Sequence, residues 1–142
     1  MRWQLAALAA SVAGLGISIY LTVVHYSSIP LACPSTGQVN CLEVLSSAYA
    51  VLWISFIPTS AAGIVWFAVS GLLAAGRLAG RDGLAGAQLA WSAVGLLTAL
   101  VLVYIEIVLL GAICIWCTTA HVLVLLIFLI SLPGAKGNRV RV

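Results

Sequence analysis

The sequence is short of charged residues. Of its 142 residues, six are Lys or Arg and three are Asp or Glu, whereas 64% are hydrophobic. A water-soluble domain of this size needs many more polar side chains to cover its surface, so a soluble globular fold is excluded. We also expect no nucleic acid among the partners of this protein.

The hydrophobic residues are gathered into four runs of the length that crosses the roughly 30 Å hydrocarbon core of a bilayer. These runs predict helices at about residues 6–26, 51–76, 84–110 and 114–132. Pro58 lies near the start of the second run, and Pro133 with Gly134 predicts the end of the fourth. A signal peptide is the alternative for the first run, which is longer than a typical signal core. We therefore predict an all-α integral membrane protein, a bundle of four transmembrane helices in a single domain over residues 1–142.

The basic residues indicate how this bundle is oriented. Arg2 precedes the first predicted helix, and Arg77 and Arg81 separate the second from the third. The other three follow the fourth: Lys136, Arg139 and Arg141. The opposite connections, residues 27–50 and 111–113, contain no Lys or Arg. Because short basic segments stay in the cytoplasm, we expect both termini to be cytoplasmic and all four cysteines to lie at or near the outer side.

The long outer loop, residues 27–50, contains Cys33 and Cys41. Between them, Pro34, Gly37 and Asn40 are turn formers that let the two sulfurs meet. Disulfides persist on the oxidising side of a membrane, but a bridge closing so short a loop stabilises a fold rather little. The pair therefore favours thiol–disulfide exchange with a soluble partner over a purely structural role.

The second cysteine pair, Cys114 and Cys117, is a C-x-x-C motif at the outer start of the fourth helix. Residues three and four apart share a helix face, so Thr118 and His121 extend the same stripe inward. Unsatisfied N–H groups and the positive end of the helix favour a thiolate in the first turn, and a C-x-x-C pair can close as a disulfide. We expect this pair to exchange electrons with a lipid-soluble two-electron acceptor, for which a quinone is the candidate.

A quinone requires hydrogen-bond donors to its carbonyl oxygens in a largely apolar pocket. The candidates near the outer side are Ser46 or Ser47, Thr118 and His121. The alternatives are a histidine bonded to a backbone carbonyl and serines that cap the second helix.

Glu106 is the acid inside a predicted span. A carboxylate there is costly and is usually paired or functional. Proton delivery to reduced quinone or to a thiolate is one role, and hydrogen bonding to His25 or Tyr26 is the other.

These features together resemble the vitamin K epoxide reductase family, in particular its bacterial members. The matching motifs are the loop pair Cys33 and Cys41, Ser47 six residues later, and Cys114-Ile-Trp-Cys117-Thr-Thr in the fourth helix. The stretches "SIYLTVVHY" and "YIEIVLLGAICIWCTTAH" are also similar to those members. The resemblance thus covers nearly the whole chain.

The resemblance implies four helices around a quinone of the menaquinone, ubiquinone or vitamin K type, in the bacterial cytoplasmic membrane. It implies that Cys117 faces the quinone, that Cys114 exchanges with Cys33 and Cys41, and that Ser47 lies near the substrate. In bacterial members, quinone reduction drives disulfide formation in an extracytoplasmic thioredoxin-fold protein. The chain ends at "KGNRVRV", so we expect that partner to be separate. Which loop cysteine meets the partner stays open.

Two positions depart from the vertebrate members of the family. Those members have a tyrosine where this chain has His121, and an asparagine in the second helix, where this chain has Phe56-Ile57-Pro58. The resemblance therefore supports quinone reduction, and whether an epoxide is reduced stays open.

Two further interpretations compete with the quinone-linked enzyme. Cys114, Cys117 and His121 have zinc-compatible spacing, with Cys41 as a fourth ligand, although free thiols are hard to keep on an oxidising side. We expect no metal for that reason. The other interpretation is a structural membrane subunit with inert disulfides.

Overall fold

A computed structural model describes residues 2–27, 30–33, 36–51 and 57–138, and its described side chains end at Pro133. These residues form five α-helices: α1 Arg2–Tyr26, α2 Cys41–Ser46, α3 Thr59–Leu78, α4 Ala85–Tyr104 and α5 Ile115–Asn138. A π-helical segment, Ile105–Leu110, continues α4. The described residues contain isolated β-bridges and no strand. Four segments, built on α1, α3, α4 and α5, are long and apolar enough to cross a membrane, which confirms the predicted fold class.

The second membrane helix begins later than the sequence indicates. We predict helix from residue 51, but Val51 forms a bridge with Pro58, and α3 begins at Thr59. The physical reason is Pro58, because a residue that precedes proline is disfavoured in the α region. Pro58 itself has φ −67° and ψ 147°, which is extended backbone directly before the helix. Phe56, in the stretch compared with the vertebrate asparagine, lies outside the described residues.

The predicted end of the last helix is also wrong. Helix α5 continues through Pro133 to Asn138 instead of stopping at residue 132. Proline removes one main-chain hydrogen bond from a helix, and membrane helices tolerate this loss. The Pro133-Gly134 pair is therefore accommodated inside the helix.

The four long helices pack through small residues on α1 and α4. Helix α1 packs against α3 and α5, and α4 packs against α5. Gly14 of α1 lies against the ring of Phe67, and Gly95 of α4 lies against the ring of Trp66. Close packing at small residues is the usual way in which membrane helices associate.

Replacing Gly14 by alanine is expected to lower the free energy of unfolding by about 1–3 kcal/mol, since its methyl group would overlap the Phe67 ring. The matched control is Gly16→Ala in the same helix, where a Cβ meets no atom within 4 Å. That change should stabilise the protein by up to about 1 kcal/mol through helix propensity. Thermal unfolding of the two variants in detergent, followed by tryptophan emission, measures both effects. Equal shifts in the two variants would contradict the packing at Gly14.

Candidate active site

The loop that carries the first cysteine pair contains a tight turn. Thr36 and Val39 exchange two main-chain hydrogen bonds, of 3.2 and 3.0 Å. Gly37 at the tip has φ +59°, a left-handed conformation that glycine adopts without strain. The turn returns the chain toward Cys41.

This turn is docked against the residue just before the C-x-x-C motif. The Ile113 N–H donates to the Gln38 carbonyl at 2.8 Å, and the Asn40 N–H donates to the Ile113 carbonyl at 3.2 Å. Cys41 follows Asn40 and Cys114 follows Ile113, so the second loop cysteine and the first C-x-x-C cysteine lie on neighbouring backbone segments. The docking brings the two cysteine pairs together.

The two pairs differ in their redox state. Cys33 and Cys41 form a disulfide, as the turn residues between them predict, whereas Cys114 and Cys117 are thiols. Cys41 is 1% exposed and Cys114 is fully buried, while Cys33 is half-buried. The loop bridge therefore has a sheltered sulfur at Cys41 and a more accessible one at Cys33.

The segment before Cys33 is held over the first turn of α5 by two aromatic side chains. The Trp116 indole N–H donates to the Ala32 carbonyl at 2.9 Å, and the Tyr20 hydroxyl accepts from the Ala32 N–H at 3.1 Å. The centroids of the two rings are 5.1 Å apart. Trp116, inside the C-x-x-C motif, thus ties the outer loop to the dithiol.

Cys114 lies immediately before α5 and caps its first turn. Its sulfur accepts the main-chain N–H of Cys117 at 3.3 Å. The pKa of the Cys114 thiol is lowered from its usual value because the Cys117 thiol donates a hydrogen bond to it, an effect that outweighs desolvation by burial. Cys114 is therefore the sulfur that more readily carries the negative charge of the pair.

A cavity of about 500 Å³ lies inside the bundle, on the same side of the C-x-x-C motif as Cys117. Cys117 lines it and Cys114 does not. Its walls are mostly apolar and come from α1, α3, α4, α5 and the outer loop. The polar side chains on these walls include Ser47, His25, Glu106 and His121. The volume lies within the range of small-molecule and cofactor sites, roughly 300–1,000 Å³.

His121 is one turn further along α5 than Cys117. Its Nδ1 atom is buried and has no hydrogen-bond partner among the described residues. A buried polar atom without a partner is unusual and calls for a specific explanation, such as a bound group. Because His121 lines the cavity, its ring suits a ligand that needs one polar contact.

Glu106 enters the site through the irregular end of α4. It lies in the π-helical segment Ile105–Leu110, and its main-chain carbonyl accepts the N–H groups of both Gly111 and Ala112. The side chain is 5% exposed, and its Oε2 accepts the main-chain N–H of Cys114 at 3.3 Å. This bond differs from the expected pairing with His25 or Tyr26, and it joins Glu106 to the dithiol.

The sequence model of the vitamin K epoxide reductase family matches residues 5–132, nearly the whole chain. The chain belongs to the vitamin K epoxide reductase family. It is therefore a membrane oxidoreductase, which agrees with the paired cysteines at one end of the bundle. No curated protein matches it.

The residues predicted to bind a quinone do not all lie at the cavity. Ser47 and His121 line the cavity, whereas Thr118 does not. Thr118 is exposed on the outer surface of the bundle, and its hydroxyl donates to the Cys114 carbonyl at 2.9 Å. Ser46 is also exposed and lies outside the cavity.

The alternative for the two serines, capping of the second membrane helix, is wrong. Ser47 ends α2, and its hydroxyl donates to the Val44 carbonyl at 2.8 Å. The short helix α2 was not expected in this loop, because only six residues form it. Its N-cap is Asn40, whose side chain accepts the Glu43 N–H at 3.3 Å. Helix α2 thus places Ser47 at the cavity wall.

Cys114, Cys117 and His121, whose spacing suggested zinc, do not form a set of metal ligands among the described residues. Among the described residues, no three side chains of the His, Cys, Asp and Glu types lie close enough together to hold a metal ion. Cys114 is not among the residues that line the cavity with Cys117 and His121. The spacing that suggested zinc therefore does not bring these three groups to one point.

Proposed function

We propose that this family member oxidises a thioredoxin-fold protein outside the cytoplasmic membrane of a bacterium and reduces a membrane quinone of the menaquinone, ubiquinone or vitamin K type. The observation that carries the proposal is the division of the C-x-x-C pair. Cys117 faces an apolar cavity inside the bundle, while Cys114 lies outside it, next to the loop disulfide. One dithiol can thereby serve a lipid-soluble reactant in the cavity and, through the loop disulfide, a water-soluble partner.

Within the cavity, the chain offers few polar contacts for a quinone head group. The unpartnered Nδ1 of His121 suits hydrogen bonding to one carbonyl oxygen, and the Ser47 hydroxyl is available on the wall formed by the outer loop. The remaining lining is mostly hydrophobic, which suits the ring and the isoprenoid tail of a membrane quinone. The quinone supplies the oxidising equivalent. Cys114 and Cys117 lose two electrons and two protons to it and become a disulfide.

The loop pair then suits transfer of that disulfide to the partner. Cys41 lies on the segment docked beside Cys114. Once the partner has reduced the loop bridge, the Cys41 thiolate is therefore placed to attack the Cys114 sulfur of the Cys114–Cys117 disulfide. Cys33 is the more accessible end of the bridge and is placed to meet the partner. Each exchange conserves thiols and disulfides: a thiolate attacks, one S–S bond breaks and another forms. Net transfer oxidises the partner dithiol and returns two thiols to the C-x-x-C pair.

The charges support an outward-facing site. Arg77 donates to Gln88 at 3.0 Å and Gln88 donates to Gln4 at 3.2 Å, which places the end of α3 beside the beginning of α1. Arg2 and Arg77 therefore lie at the end opposite the cysteines, and basic ends remain in the cytoplasm. Lys136, Arg139 and Arg141 lie outside the described side chains.

The proposal is tested by reconstituting the purified protein in vesicles and following quinone absorbance after adding a reduced thioredoxin-fold protein. We expect one quinone to be reduced for each disulfide formed in the partner. A variant with all four cysteines replaced by alanine provides the background. Quinone loss without partner oxidation, or no quinone loss with any of the three quinone types, would contradict the proposal.

Replacing His121 by alanine is expected to raise the KM for quinone by about tenfold, the equivalent of one hydrogen bond. The reason is loss of the polar contact that Nδ1 provides in an apolar cavity. Initial rates against quinone concentration, driven by a chemical dithiol, give the KM. Val122→Ala, at an exposed position next to His121, should leave it unchanged. An unaltered KM in His121→Ala would remove this residue from the binding site.

A further inference from the structure

Glu106 is a buried carboxyl group that the proposed electron path does not use. Oxidation of the dithiol releases two protons, and quinone reduction consumes two. Cys117 lines the cavity and can pass its own proton there directly. Cys114 does not line the cavity, so its proton needs a carrier.

Glu106 lines the cavity and also accepts a hydrogen bond from the main chain of Cys114. Its Oε2 accepts the Cys114 N–H, while the same side chain forms part of the cavity wall. Two other groups contact Cys114. The Thr118 hydroxyl is bonded to the Cys114 carbonyl and lies outside the cavity, and Cys117, which is bonded to the Cys114 sulfur, must release its own proton in the same step. Glu106 therefore contacts the residue that must lose a proton, at its main-chain N–H, and also faces the space that holds the acceptor.

The local backbone fixes this position. The third membrane span ends with the π-helical turn Ile105–Leu110 and the left-handed Gly111, which has φ +63°. Gly111 is three residues before Cys114. π-Helical turns are rare and occur frequently at functional sites. Two N–H groups, of Gly111 and Ala112, bind the Glu106 carbonyl and hold this residue in place.

We propose that Glu106 accepts the proton of the Cys114 thiol and delivers it to a quinone oxygen, an inference that rests on the function proposed above. The step is balanced. Cys114 and Cys117 form one S–S bond and give up two electrons, which the quinone takes. One proton reaches the quinone from Cys117 and the other from Cys114 through Glu106, which ends the cycle in its starting state.

The surroundings of Glu106 bear on any pH dependence of this step. The other titratable groups that line the cavity are His25 on α1, Tyr49 on the outer loop, and Cys117 and His121 on α5. No Lys, Arg or Asp is among the described lining residues. The Glu106 carboxylate thus has no cation beside it on this wall and must be ionised before it can take up a proton.

The decisive variant is Glu106→Gln, because glutamine can still accept the Cys114 N–H but cannot carry a proton. We expect kcat for dithiol-driven quinone reduction to fall by about 10²-fold, a typical contribution of acid–base catalysis, with the KM for quinone within twofold. The wild-type kcat should rise with pH as Glu106 loses its proton, and the glutamine variant should lack this rise. Glu43→Gln, at an exposed acid in α2, is the control and should behave as wild type.

A purely positioning role predicts a different result: Glu106→Gln would keep the wild-type kcat and pH profile, which would overturn the proposal. If the glutamine variant fails to fold, Glu106→Ala with added formate or formamide decides the question. Both small molecules can accept the Cys114 N–H, but only formate can carry a proton, so rescue by formate alone is expected. Rescue by both or by neither would overturn the proposal. Wild-type protein without quinone reductase activity would instead refute the proposed function.

Discussion

Replacing Cys117 by alanine is expected to reduce quinone reduction to the uncatalysed rate, even when a chemical dithiol replaces the protein partner. Cys117 is the cysteine on the cavity wall, and no other thiol of the described chain lines that space. Without it, Cys114 has no partner sulfur inside the motif, so the two-electron oxidation cannot be completed by forming a disulfide there. Stopped-flow absorbance of a quinone analogue mixed with the reduced variant measures the loss.

The control for this prediction is Thr119→Ala, two residues further along the same helix. Thr119 is exposed, and its hydroxyl donates to the Ile115 carbonyl at 2.8 Å, so its removal should leave the rate unchanged. A Cys117→Ala protein that still reduces quinone at a substantial fraction of the wild-type rate would place the reactive sulfur elsewhere. In that case the cavity beside Cys117 would not be the quinone site.

The membrane architecture could be predicted from the sequence because it depends on local composition. Each long apolar run must become a helix in lipid, where every main-chain polar group needs an internal partner. The boundaries depended on finer effects. The apolar residues before Pro58 suggested an early start for α3, yet the proline excluded helical backbone just before it. Pro133 suggested a stop that α5 does not make.

The parts of the site that could not be predicted depend on contacts between distant residues. Trp116 and Ala32 are 84 residues apart, and nothing in either sequence segment indicates their hydrogen bond. The docking of Asn40 on Ile113 and the bond from Cys114 to Glu106 are likewise tertiary. The predicted helical stripe of Cys114, Cys117, Thr118 and His121 is confirmed only in part. Cys117 and His121 line the cavity, whereas Cys114 and Thr118 do not.

These contacts fit the two separate reactions that we propose for this small bundle. The outer loop is fixed to the start of α5 at two places, by the turn on Ile113 and by Trp116 on Ala32. The disulfide of this loop is thereby kept next to Cys114, while the helix itself carries Cys117 into the cavity. In the proposed function, the lipid-soluble reactant then meets Cys117 in the cavity, and the water-soluble partner meets the loop disulfide beside Cys114.

Replacing Cys33 by alanine is expected to abolish quinone reduction driven by a thioredoxin-fold partner while sparing much of the rate driven by a small chemical dithiol. The variant cannot form the loop disulfide, so it has no bridge to offer a large partner that cannot reach the buried Cys114. A small dithiol can reduce the C-x-x-C pair without the loop. The two rates are measured on one preparation, with partner and chemical dithiol supplied in turn.

Cys41→Ala gives the matching comparison, because it removes the same bridge from its buried end. We expect it also to lose the partner-driven rate. After oxidation, Cys33→Ala should accumulate a disulfide between Cys41 and Cys114, since Cys41 lies on the segment docked beside Cys114. Cys41→Ala should form no corresponding disulfide between Cys33 and Cys114. Peptide mapping without reduction detects either bond. Equal loss of both rates in either variant would contradict the shuttle role of the loop. A bond from Cys33 to Cys114 in Cys41→Ala, with none from Cys41 to Cys114 in Cys33→Ala, would reverse the order of the two loop cysteines.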